Sequence, residues 1–176
     1  LAARVDRKAI TEADIEEASI KVVAGPEKKS RVVTEEDKKL VAYHEGGHAI
    51  SAYHLKTQDK VHHVTIIPRG QAGGFTMQLP EKDKSFVSKR WMEEELIVLL
   101  GGRVAEQIIL DDISTGASND LERATKIAKN MVTRYGFSKK LGPVVYGGDS
   151  DEVFLGRDYG HTHSYSDSVA AEIDNE

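Results

Sequence analysis

The segment His44-Glu45-Gly46-Gly47-His48 sets two imidazoles four residues apart, with a carboxylate beside the first. On an α-helix, residues four apart are rotated by about 40° around the axis, so both imidazoles leave one face and can grip one cation. Zinc held by two imidazoles and a carboxylate keeps a water ligand whose pKa falls to about 7, and a nearby glutamate such as Glu45 can take its proton. That is machinery for amide hydrolysis. The bland alternative is a pair of packed histidines beside a solvated glutamate. With only 7 His in 176 residues, the pattern arises by chance about 0.02 times, which weighs against that alternative. Gly46 and Gly47 each cost a helix interior about 0.8–1 kcal/mol relative to Ala. Either tight packing near a metal favours them or the helix is locally weakened, and sequence does not separate the two.

A catalytic zinc needs a third protein ligand, for which His54, the pair His62 and His63, Glu106 and Asp120 compete. His54 stands where a metzincin would place its third histidine, but that pattern requires a helix-breaking Gly three residues after the second histidine, and Ser51 is there. On a continuing helix His54 lies about 240° round from His48 and faces away. His62 and His63 are adjacent on an expected strand, so at most one can face a site. Glu106 sits near an apolar helix face and needs a partner: a metal, a ligating histidine, or Arg103 in a salt bridge. Asp120 opens a helix after Ser114-Thr115-Gly116-Ala117, where its carboxylate either reaches a metal or compensates the helix terminus. Glu106 and Asp120 both stay open on this reasoning.

The elements that must position these groups follow from caps and breakers. Thr34-Glu35-Glu36-Asp37 predicts the start of a helix running through His44 and His48 to about Leu55. Val61–Ile67, stopped by Pro68-Arg69-Gly70, and Gly74–Leu79 predict a small hairpin or sheet. Arg69 reads as a solvated turn arginine, with loop anchoring or substrate contact as its other roles. Ser88–Leu110 predicts a long helix in which Gly101-Gly102 suggests close helix packing. After the turn-rich stretch Asp111–Ala117, a helix is expected from Ser118-Asn119-Asp120 to about Tyr135, ended by Gly136, with a final helix over Ser164–Ile173. Upstream, Ile10-Thr11-Glu12-Ala13-Asp14 resembles a capping box opening a helix that Ala24-Gly25-Pro26 closes, and charged Glu27–Arg31 reads as a linker. The expected fold is mainly α with a small β-sheet.

Composition narrows the function. A net charge of -5 and a pI near 5.8 lack the basic excess that phosphate backbones demand, which argues against a nucleic-acid partner. No cysteine is present, so any zinc must rest on histidine and carboxylate ligands. The longest apolar stretch, Leu96–Leu100, is far below the roughly 18 residues of a membrane span, and Leu1-Ala2-Ala3-Arg4 is no signal peptide, so a soluble fragment is expected. No phosphate-binding loop supports a nucleotide site.

Together, His44-Glu45-Gly46-Gly47-His48 and Ser114-Thr115-Gly116-Ala117-Ser118-Asn119-Asp120 resemble the FtsH-type ATP-dependent zinc metalloproteases. The resemblance extends over Ala24-Gly25-Pro26-Glu27-Lys28-Lys29-Ser30, Ile66-Ile67-Pro68-Arg69-Gly70, Gly101-Gly102-Arg103-Val104-Ala105-Glu106, Leu141-Gly142-Pro143 and Val153-Phe154-Leu155-Gly156. It implies an Asp-type zincin peptidase domain in which His44, His48 and Asp120 hold Zn2+ and Glu45 activates water. Glu106 would then support the site without touching the metal, and the strand around Val64–Ile67 would receive an extended substrate. By the same resemblance, residues 1–25 are the C-terminal remnant of AAA+ lid helices, 26–33 a linker, and 34–176 a zinc metallopeptidase domain lacking its last helices. The family carries an ATP- and Mg2+-using motor and a membrane anchor upstream, forms homohexamers, and degrades unfolded and membrane proteins. Its members sit in the bacterial inner membrane or an organellar membrane, with this domain on the cytoplasmic, matrix or stromal side. The chain departs from the family at Gln107, where a second acidic residue is usual, and in the helices expected after Ile173. The rival reading is a non-catalytic, zinc-stabilised module for oligomerisation or substrate docking. An intact Glu45, and only three plausible ligands where a structural zinc closes with four, favour the peptidase.

Overall fold

In the computed structural model, Thr11 opens helix α1 (Glu12–Ala24) with a reciprocal capping box. Its hydroxyl accepts from the Asp14 N–H at 3.3 Å, and its own N–H donates to Asp14 Oδ2 at 3.0 Å. The Thr11 N–H and hydroxyl, with the Arg7 guanidinium 2.8 Å away, hold the Asp14 carboxyl below its ordinary pKa. The structure describes residues 2–28, 32–70, 72–80, 82–147 and 165–176. The block Val153-Phe154-Leu155-Gly156, residues 29–31 and the expected helix start at Ser164 lie outside the described residues.

Gly25 ends α1 at φ +86°, and a Cβ there would lie 3.3 Å from the Cα of Gly70, itself at φ +53°. That close approach lets the chain after α1 run antiparallel to Pro68 and Arg69. Glu27 bridges to Arg69, and the Lys28 N–H donates to the Pro68 carbonyl at 2.9 Å. Arg69 is not a solvated turn residue. It is buried, and its guanidinium forks both oxygens of Glu17 on α1 at 3.0 Å each.

Helix α2 (Glu35–His54) begins where Thr34 accepts from the Asp37 N–H at 3.1 Å. Three acidic residues in its first turn complement the helix dipole. Strands β1 (Lys60–Thr65) and β2 (Phe75–Leu79) pair antiparallel, Thr65 opposite Phe75 and Lys60 opposite Leu79, with an irregularity between Val61 and His63. β1 alternates exposed and half-buried residues, as a strand with one covered face should.

Helix α3 (Lys89–Leu110) follows Ser88, whose hydroxyl accepts from the Trp91 N–H at 3.1 Å. Asp111 turns the chain in a left-handed conformation, φ +52°, and a 3-10 turn over Thr115–Ala117 leads into α4 (Ser118–Thr133). Gly136 at φ +60° closes that segment. Helix α5 (Asp167–Asn175) is capped by Ser166. Among the described residues the fold is thus mostly helical with one two-stranded sheet, as expected. Among the described residues, no helix is long and apolar enough to cross a membrane.

The chain divides into two compact units, residues 1–83 with 101–115, and residues 84–100 with 116–176. Ile20, Ala52 and Met77 are buried in the first; Met92, Val98, Leu99, Ala117, Ala124 and Met131 in the second. Within the first unit, α2 and the later half of α3 meet through glycines. A Cβ on Gly47 would overlap the Gly101 carbonyl, and one on Gly101 would lie 2.8 Å from the Gly47 carbonyl oxygen. Glycine is what allows two helix backbones to come this close.

Candidate metal centre

The α2 register buries His44, Glu45 and His48, which are 8%, 7% and 8% exposed. The Nε2 atoms of the two histidines converge to 3.0 Å, their rings edge to face. Two nitrogens each about 2.0–2.1 Å from one tetrahedral zinc stand about 3.3 Å apart. The pair is therefore within a few tenths of an ångström of chelating geometry, and the residues fit a zinc ion.

Glu106 fixes how His44 presents its ring. The carboxylate is fully buried, and its Oε1 lies 2.6 Å from His44 Nδ1. A carboxylate can only accept, so Nδ1 carries the proton and Nε2 keeps its lone pair for a metal. The turn at Asp111 brings Ser114 back onto the same carboxylate: its N–H donates to Oε2 at 2.7 Å and its hydroxyl to Oε1 at 3.2 Å. The expected alternative of a salt bridge to Arg103 is not the arrangement found. Gly102, on α3, leaves the imidazoles room. A Cβ there would lie 2.6 Å from His48 Nε2 and 2.7 Å from His44 Cε1.

His44, His48 and half-buried Asp120 each offer one ligand atom, and these atoms lie within 4.8 Å of one another. No other group of three potential ligands occurs among the described residues. His54 is exposed at the end of α2, its ring against Tyr53. His63 stacks on Phe75, and His62 points toward Glu16 at 3.9 Å. None of these three joins the group.

Glu45 is held from β2. The Thr76 hydroxyl lies 2.7 Å from Glu45 Oε2 and 3.1 Å from the Glu45 carbonyl oxygen. Gly74 makes this possible, since a Cβ there would meet the Thr65 carbonyl at 2.5 Å, Val41 at 2.6 Å and Glu45 Cγ at 3.2 Å. Sequence reasoning passed over Thr76. The one available signal was the Gly73-Gly74 pair entering a strand, which marks close approach of another element.

A buried His-Glu-x-x-His helix whose first histidine is oriented by a second buried glutamate defines a metallopeptidase of the zincin type. The chain belongs to peptidase family M41, whose sequence model it matches over residues 31–176. It is 62% identical, over all of its own length, to ATP-dependent zinc metalloprotease FtsH 1 of Thermoanaerobacter sp. (strain X514), of which it covers 29%. To ATP-dependent zinc metalloprotease FtsH 2 of Alkaliphilus metalliredigens it is 58% identical, covering 26% of that protein. To ATP-dependent zinc metalloprotease FtsH of Bacillus subtilis (strain 168) it is 51% identical, covering 28%. The chain thus spans under a third of the length of these relatives.

Proposed function

We propose that this chain is the zinc endopeptidase unit of an ATP-driven, processive protease, with His44, His48 and Asp120 holding Zn2+ and Glu45 moving the proton. The convergence of the two Nε2 atoms at 3.0 Å, with His44 Nδ1 tied to Glu106, is the observation that carries this reading. Zinc bound here would supply Lewis acidity, polarising the scissile carbonyl and bringing a bound water's pKa to about 7.

The chain's own residues do the rest. Glu45 takes a proton from the attacking water and delivers it to the amine nitrogen as the C–N bond breaks. Glu106 keeps His44 in the tautomer whose Nε2 is bare. Val64, Ile66 and Ile67 are partly exposed, which suits an extended substrate lying along this stretch with its side chains in apolar contact. Main-chain recognition of that kind tolerates many sequences, as a protease of unfolded and membrane proteins requires.

The same reading makes residues 1–25 the end of an AAA+ lid, 26–33 a linker and 34–176 the peptidase domain. The whole protein would carry an ATP- and Mg2+-dependent motor and a membrane anchor, form a homohexamer, and hold this domain on the cytoplasmic, matrix or stromal side of its membrane.

The test is hydrolysis of casein by the ATP-supplied full-length protease carrying this chain. Glu45→Gln should retain zinc and lose hydrolysis, while Asp120→Ala should lose zinc by metal analysis. Unchanged hydrolysis in the first variant would overturn the mechanism; unchanged zinc in the second would overturn the ligand assignment.

A further inference from the structure

We infer that Thr76 is a positioning residue for Glu45, its hydroxyl clamping the carboxylate in the orientation that proton transfer needs. The inference rests on the reading of Glu45 given above. A glutamate side chain is rotamer-rich, with about 1.5–2 kcal/mol of conformational entropy to lose on immobilisation. Glu45 is buried, and a fixed donor selects among the rotamers that its surroundings still admit.

Thr76 supplies that donor from a rigid element. Its backbone is held in the β1–β2 ladder opposite Val64. Threonine is also stiff at χ1, so the hydroxyl direction is largely set by the strand. One hydroxyl reaches two oxygens of the same residue, Oε2 at 2.7 Å and the main-chain carbonyl at 3.1 Å. It has one proton to give. The shorter leg has the length of a charge-assisted O–H···O⁻ bond, which places the proton on the carboxylate side. Oε2 is then engaged by Thr76.

Gly74 is the second, independent part of this seat. With the Cβ of any other residue, the start of β2 would collide with the Thr65 carbonyl and Val41 and press on Glu45 Cγ at 3.2 Å, shifting Thr76 from its place at the carboxylate. Glycine two residues before the threonine lets the strand lie close against α2 at the residue that moves the proton.

Thr76→Val keeps the side-chain shape and removes the donor. In the zinc-loaded, ATP-supplied full-length protease, casein hydrolysis by this variant should show kcat reduced about 10- to 100-fold, the range for losing one charge-assisted hydrogen bond. KM and zinc content should stay as in the unmodified protein. Thr76→Ser, which restores the hydroxyl, should recover most of kcat. Should valine disturb the strand, Thr76→Ala removes the same hydroxyl without placing a methyl against the carboxylate, and must show the same loss. Normal kcat in a hydroxyl-free variant overturns the inference, as does a folded, zinc-loaded Thr76→Ser as slow as Thr76→Val. Glu45→Gln run beside them separates the two readings. If it stays active, the role of Glu45 fails; if it is inactive while Thr76→Val is normal, only the role of Thr76 fails.

Discussion

Glu106 Oε1 and His44 Nδ1 stand 2.6 Å apart although 62 residues separate them in sequence. The contact ties the His44–His48 face of α2 to the C-terminal half of α3, so the direction in which His44 presents Nε2 depends on where a second helix lies. A ligating histidine whose far nitrogen is held by a carboxylate is both oriented and made more basic.

Glu106→Gln should weaken zinc binding about 10- to 100-fold, the usual cost of losing such a partner. The amide is nearly isosteric, so the fold should survive. It loses the charge that matches the His44 N–H and leaves a buried amide to satisfy. Competition with a zinc chelator measures the change, and an unaltered affinity would mean that Glu106 is only a packing group.

Gly102→Ala should lose zinc even though alanine improves helix propensity by about 1 kcal/mol. The new Cβ would sit 2.6 Å from His48 Nε2 and 2.7–2.8 Å from the His44 ring. Both rings must move, and a small shift is enough to spoil tetrahedral coordination. Metal content by elemental analysis is the readout, with helical circular dichroism as the control for folding.

Gly46 and Gly47 look equivalent in sequence and should behave oppositely. A Cβ on Gly46 meets nothing within 4 Å, whereas one on Gly47 overlaps the Gly101 carbonyl and lies 2.8 Å from Ala105 Cβ. Gly46→Ala should therefore stabilise the protein by about 0.8–1 kcal/mol. Gly47→Ala should destabilise it by about 1–3 kcal/mol or more, since backbone cannot give way as a flexible side chain can. Thermal melts of the two variants decide it. Equal shifts of one sign would refute the packing account.

What could be read in advance is what local rules govern. Thr11 and Thr34 announce the starts of α1 and α2 because a cap needs only a few neighbouring residues. The His44-His48 pair is legible for the same reason: helical spacing alone brings the two rings together. The glycines at 101 and 102 signalled close packing because their helix penalty needed a reason, though not which atoms they make room for. For Glu106 a ligating histidine was one of the partners the sequence offered, without deciding among them, while Thr76 with Glu45 and Arg69 with Glu17 were not legible; the three pairs join elements 31 to 62 residues apart. No local pattern encodes such a partner. Arg69 misled in particular, since a Pro-Arg-Gly turn normally leaves its arginine in water.

The Arg69–Glu17 pair should therefore respond unequally to losing each partner. The Arg69 side chain is 8% exposed and that of Glu17 is 45% exposed. Removing Glu17 strands a buried guanidinium, which stays charged because an arginine side chain does not give up its proton inside a protein. Removing Arg69 leaves a carboxylate that water can reach and solvate. Glu17→Ala should thus loosen α1 more than Arg69→Met, whose side chain also refills part of the buried volume. A buried charged group left without a partner costs about 1–3 kcal/mol or more, against under about 1 kcal/mol for a solvated one. Hydrogen exchange of the α1 amides reads this locally. Exchange in α1 should accelerate about 5- to 100-fold in Glu17→Ala and much less in Arg69→Met, while α2 keeps its protection in both. Equal acceleration in the two variants would show that the pair acts through symmetric Coulomb attraction and not through the burial of the guanidinium.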